Sequence, residues 1–313
     1  MIFKLKAPVK DYIWGGTRLQ EEYGKTGNCE RIAESWELSC HHDGLSIIEE
    51  MDIPLVEYLA KHPEAMGENC LKFDDFPILI KLIDARDNLS IQVHPNEKYA
   101  LEHEGEHGKT EMWYIIDCEP DSSIIYGFKD KISREDFRLA IENNTLMDKV
   151  NTVPVHKGDV FMIRAGTLHA IGKGCLIAEI QQSSNVTYRV YDYGRPRELH
   201  IDKALDVTIR TPTPIPLKQR CRDILENNYY IHDQFLAMCK YFKVYKEGIH
   251  GDGHCHASAK SFTHVLVLDG EGRICSHEKD DFQADFKKGD SFFITAGSRW
   301  QITGDCSIIY TSV

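Results

Sequence analysis

Residues 156–172 read HKGDVFMIRAGTLHAIG, and residues 287–304 read KKGDSFFITAGSRWQITG. The Lys-Gly-Asp triplet, the phenylalanine two residues beyond it and the Ala-Gly pair recur at a constant offset of 131. Such self-similarity means that one supersecondary unit is used twice. Each copy sets a short run of β-branched and aromatic residues between two glycine-bearing turns, the pattern of a strand rather than a helix. The alignment lays His169 on Trp300. A group that offers nitrogen to a cation in the first copy is therefore absent from the second. Upstream, QVH at 92–94 and HCH at 254–256 look like partners in the same repeat.

Working outward, the same strand texture fills the chain from Phe76: PILIKLID, LSIQVH, EMWYIID, SFTHVLVLDG and CSIIYTSV. These runs predict antiparallel strands in a barrel or sandwich. Helical signals are few. Thr17 and Gly24 bracket RLQEEY, Pro54 and Gly67 bracket LVEYLAKHPEAM, and Ser133 caps SREDFRLAIENNTLMDKV. A further helix is expected over DKALDVTI from Asp202. The proline-rich strip at 211–216 is the best linker, which predicts a first domain over 1–210 and a second over 217–313. The stretch near 131–150 makes the first copy the longer one.

With 37 basic and 49 acidic residues the net charge is −12, which repels nucleic acid and leaves an anionic small molecule in need of a local basic pocket. No run approaches the roughly 20 apolar residues of a membrane span. Ten cysteines without a CxxC pair fit a reduced, cytoplasmic protein.

Gln92 and His94 are two apart in a strand-like run, so their side chains share a face. Glu111 and His169 begin or end later strands, and hairpin pairing would bring all four to one point. Two imidazoles, a carboxylate and an amide oxygen suit Zn²⁺, although donor types alone leave iron and manganese open. Any single histidine out of the chain's fifteen reads as an ordinary surface group.

Gly158, Gly166 and His169 fit the second signature of the cupin superfamily, with Arg164 where that signature usually has proline. LIDARDNLSIQVHPNE, GKTEMWYII, GTLHAIG and AEIQQSSNVTYRVYDYGR, in that order, make the chain resemble the short bacterial type I mannose-6-phosphate isomerases. The resemblance implies a mostly β fold of two cupin-like jelly-roll β-barrel units with short helical insertions. It implies one zinc on Gln92, His94, Glu111 and His169, and a hexose 6-phosphate substrate carried through a cis-enediol. Arg189 would be the active-site arginine, Lys109 and Glu179 match pocket residues, and Ser90 would line the same pocket. Arg195 and Arg197 are suitable phosphate donors. The proton carrier stays open between Lys109, Glu179 and a bound water. His254, Cys255 and His256 are too poor in acidic company for a second metal, so the C-terminal unit is expected to be structural. Competing readings are an iron cupin oxygenase and a non-catalytic sugar-phosphate sensor.

Overall fold

The computed structural model describes residues 1–214, 224–226, 229–231, 234–277 and 282–313, with backbone alone at 224–226, 229–231 and 254–257. Among the described residues no helix is long and apolar enough to cross a membrane.

Three large antiparallel sheets carry the fold. The six-stranded sheet is central. Its strand Ile78–Ala85, ILIKLIDA, is buried at all eight positions, as a continuous apolar run demands when both faces are covered. Ile83, Trp113, Ile115, Phe161 and Ile177 point to one side, where they meet Ile124, Tyr126 and Ile171 of a five-stranded sheet. Ile80, Leu82, Met112, Tyr114 and Ile180 point to the other, against Leu266, Leu268, Phe293 and Ile309 of a nine-stranded sheet. The outer face of the five-stranded sheet is closed by the helices Arg134–Glu142 and Ile201–Val207, through Phe137, Ile141 and Leu205. The first of these starts where expected, with Ser133 Oγ accepting the Asp136 N–H at 3.0 Å.

The fold is mostly β and cupin-like, with one correction. The expected barrels are open: the five- and six-stranded sheets face each other, and their edge strands do not pair across. Nor do strands sort by position in the chain, because Ile2–Lys6 pairs with Ser291–Ile294 and so belongs to the nine-stranded sheet. Residues 215 and 216 of the proline-rich strip lie outside the described residues, while Pro212 still bridges to Phe128.

The repeat holds at the level of backbone geometry. Gly158 and Gly289 have φ of 89° and 90°, and Gly166 and Gly297 have φ of 86° and 83°, a region that side chains avoid. Asp159 Oδ2 accepts the His156 N–H at 2.9 Å, and Asp290 Oδ2 accepts the Lys287 N–H at 3.0 Å. The ladders refine the sequence alignment. Gln92 lies opposite His169, and His256 lies opposite Trp300, so His256 corresponds to Gln92 rather than to His94. Glu111 pairs with Ile163 and Thr263 pairs with Ile294, so the second copy lacks the carboxylate as well.

Candidate metal centre

Two three-residue strands and the first residue of an eight-residue one bring the candidate ligands together. Gln92 sits in Ile91–Val93 directly across from His169 in His169–Ile171, so their side chains project from the same face of the five-stranded sheet. His94 follows at once, before Pro95, which has no amide proton to continue the ladder. The turn at Gly166 leads into His169, and the Gly166 N–H donates to His94 O at 2.9 Å, tying the two histidine segments. A Cβ at Gly166 would fall 2.9 Å from Val207 O. Glu111 opens the facing strand Glu111–Cys118 of the six-stranded sheet.

His94 Nε2 is 3.6 Å from Glu111 Oε2, and His169 Nε2 is 3.4 Å from Glu111 Oε1. The two imidazole centroids are 4.7 Å apart. Each ring donates its other nitrogen to a carbonyl: His94 Nδ1–H to Val186 O at 2.7 Å and His169 Nδ1–H to Thr167 O at 2.9 Å. That fixes the tautomer and aims the Nε2 lone pairs at the carboxylate, the usual outer support of a metal-bound histidine. His94 Nε2, His169 Nε2 and Glu111 Oε1 are fully buried without hydrogen-bond partners, and the equally buried Glu111 Oε2 has the Lys109 ammonium beside it. Orphaned buried acceptors cost about 1–3 kcal/mol each, so three converging ones are the mark of a cation site. Burial lowers the pKa of His94 well below the usual histidine value and that of His169 to about 4, which keeps both rings neutral and able to ligate. Burial, followed by the nearby Glu179 charge, raises that of Glu111.

Beside the ligands lies a cavity of about 290 Å³, lined by Ser90, Gln92, Lys109, Glu179, Arg189 and Arg197 among others. Lys109 Nζ is 3.2 Å from Glu111 Oε2 and 3.7 Å from Glu179 Oε1. Burial opposes the ionised form of Glu179, but the Lys109 and Lys81 charges and the Trp113 Nε1–H bond at 2.8 Å outweigh it and lower its pKa. Arg189 Nε donates to Ser90 Oγ at 3.2 Å, and Ser90 Oγ donates to Gln92 Oε1 at 3.4 Å, so Arg189 and Gln92 are joined through one hydroxyl. Arg189 Nη1 is bound to Glu198 O at 3.0 Å. Arg195 and Arg197 both bind Asp192, at 2.7 Å each; Arg197 lines the cavity and Arg195 does not.

Two charged cavity residues escaped the sequence reading. Lys81 is fully buried, 3.4 Å from Glu34 Oε2 and 3.6 Å from Glu179 Oε1. Together they make an alternating row, Glu34, Lys81, Glu179, Lys109, Glu111. Glu34 belongs to the run AESWELS at 33–39, in which Trp36 is core and its Nε1–H donates to Glu34 Oε2 at 2.8 Å. The side chains of His254, Cys255 and His256 lie outside the described residues. His41, His42 and Asp43 form another group of ligand types, but His41 Nδ1 already accepts the Asp43 N–H at 3.1 Å.

Comparison with known proteins decides the family. A mannose-6-phosphate isomerase from Streptococcus mutans is 39% identical over 97% of this chain and 96% of its own. This chain belongs to the type I mannose-6-phosphate isomerases. The description "Phosphomannose isomerase type I, catalytic domain" matches residues 2–125, and "Mannose-6-phosphate isomerase, cupin domain" matches 232–313. The crystal structure of the Bacillus subtilis mannose 6-phosphate isomerase superposes with a TM-score of 0.87 at 34% identity, covering 100% of this chain and 99% of that one. A mannose 6-phosphate isomerase solved with zinc bound shares the fold at a TM-score of 0.79 and 17% identity, over 99% and 98% of the two chains. A member of this family is an enzyme, and neither the oxygenase nor the sensor reading is needed.

Proposed function

We propose that the enzyme interconverts mannose 6-phosphate and fructose 6-phosphate through a cis-enediol, with one zinc held by Gln92, His94, Glu111 and His169. The reading is carried by the three partnerless buried atoms His94 Nε2, His169 Nε2 and Glu111 Oε1 converging beside a cavity with Lys109 and Arg189 on its wall. The zinc-bound relative supports the choice of metal. When bound, zinc supplies Lewis acidity toward adjacent sugar oxygens without oxidising an enediol.

Moving a proton between C1 and C2 needs a group that takes it and gives it back on the same face. Lys109 and Glu179, 3.7 Å apart on the cavity wall, are the pair assigned to that transfer. Arg189 sets a fixed positive charge against the developing enediolate, and Ser90 holds that guanidinium and Gln92 in register. Arg197, on the cavity wall, is assigned to the phosphate, and Arg195, which the sequence also offered, is left to its bond with Asp192. Residues 217–313 are assigned a structural role, since Trp300 and Thr263 stand where His169 and Glu111 stand in the first copy.

The test is a coupled assay of fructose 6-phosphate formation from mannose 6-phosphate, with and without a chelator. Turnover that survives metal removal refutes the zinc reading, and inertness toward hexose phosphates in the presence of zinc refutes the isomerisation.

A further inference from the structure

The residue between two clamped amides is Lys109. On one side the Gly108 N–H donates to Glu97 Oε2 at 3.0 Å, and on the other the Thr110 N–H donates to Gln182 Oε1 at 2.9 Å. The two acceptors are joined to each other, because Gln182 Nε2 donates to Glu97 Oε2 at 2.9 Å. Glu97 Oε1 takes a third donor, His107 Nδ1, at 2.7 Å. Burial opposes the charge on Glu97, but the His107, Gly108 and Gln182 bonds outweigh it and lower its pKa, so it is an acceptor for all three at neutral pH.

The bridge spans the three segments that make the site. Glu97 opens the helix that follows His94, capped by Asn96 Oδ1 on the Tyr99 N–H at 3.0 Å. Gln182 ends the strand that carries Glu179. The loop between them leads into Glu111, and the Lys109 N–H itself donates to Pro95 O at 3.1 Å. The fit is close enough that a Cβ on Gly108 would fall 2.4 Å from Glu97 N. A lysine side chain has four rotatable bonds, so its amine can be placed within hydrogen-bond tolerance only if its backbone does not move.

We infer that the Glu97–Gln182 pair positions Lys109 for proton transfer, neither side chain touching substrate or metal. The inference rests on the assignment of Lys109 under the proposed function, and the experiment separates the two. Zinc-loaded Glu97→Gln, Gln182→Leu and Lys109→Met are compared with the parent for kcat, KM, zinc content and thermal midpoint. Glu97→Gln keeps shape but turns one acceptor into a donor facing donors. The expected result is a kcat lowered by about tenfold or more in both bridge variants, with KM within about threefold, zinc retained and the midpoint nearly unmoved. Unchanged kcat in both bridge variants beside an inactive Lys109→Met overturns the bridge alone. Activity lost only in step with zinc or folded protein overturns it too, as it describes a merely structural role. A fully active Lys109→Met overturns the assignment on which the bridge depends.

Discussion

Replacing Lys81 by methionine removes the cation that Glu34 and Glu179 share, at 3.4 and 3.6 Å, while filling most of the space its stem occupies. Breaking a buried ion pair from one side costs about 3–5 kcal/mol, because the remaining charge has lost its partner. Here each carboxylate keeps a second donor, Trp36 Nε1 on Glu34 and Trp113 Nε1 on Glu179. Lys109 also stays 3.7 Å from Glu179. These remaining contacts put the expected loss near the lower end, about 3 kcal/mol at pH 8. The sign of its pH dependence follows from linkage. The Lys81 charge is among the groups that lower the Glu179 pKa, so without it that pKa rises in the folded state and the carboxyl holds a proton at pH values where the parent has released it. The penalty is smallest at acid pH, where Glu179 is protonated in parent and variant alike, grows as pH climbs from the lowered parent value through the higher variant value, and is full at pH 8. Urea unfolding of metal-free parent and variant across that range measures it, and Glu34→Gln in the Lys81→Met background should recover part of the loss. A penalty below about 1 kcal/mol at pH 8, or one equal at both ends of the range, refutes the reasoning.

Other consequences can be measured independently. Glu111 has a raised pKa in the metal-free protein, so zinc binding near pH 6 should release a proton from it, and the release should fade in alkaline buffer; calorimetry in buffers of different ionisation enthalpy reads this directly. Arg189→Lys keeps the charge but loses the planar fork that meets Ser90 and Glu198, and kcat should fall by about 10²-fold with the thermal midpoint little changed. Trp300→His should not create a second zinc site, because Thr263 replaces the carboxylate; it should instead cost about 3–5 kcal/mol through the lost packing of a side chain 1% exposed.

The sequence made the repeat and the clustering of His94, Glu111 and His169 legible because the motifs are local: glycine must stand where φ is positive, and His94 and His169 each sit in a short motif at one end of a strand. What was not legible depends on register. Lys81, Glu34 and Glu179 are far apart in the chain and meet because neighbouring strands of one sheet put Glu179 opposite Lys81 and Lys81 opposite Trp36. No periodicity in any one strand announces that. The same limit misaligned His256, which motif likeness matched to His94 and the ladder matches to Gln92. Arg195 and Arg197 share a motif and even a partner, Asp192, yet the side chain of one alone lines the cavity.

The most direct test of the account is the zinc content of the purified enzyme, by plasma mass spectrometry, set beside its turnover and beside a folded His169→Ala variant. The account predicts one zinc per chain in the parent, activity lost on chelation and restored by zinc, and almost no metal in the variant. Full turnover from metal-free protein, or undiminished zinc after loss of His169, would contradict it.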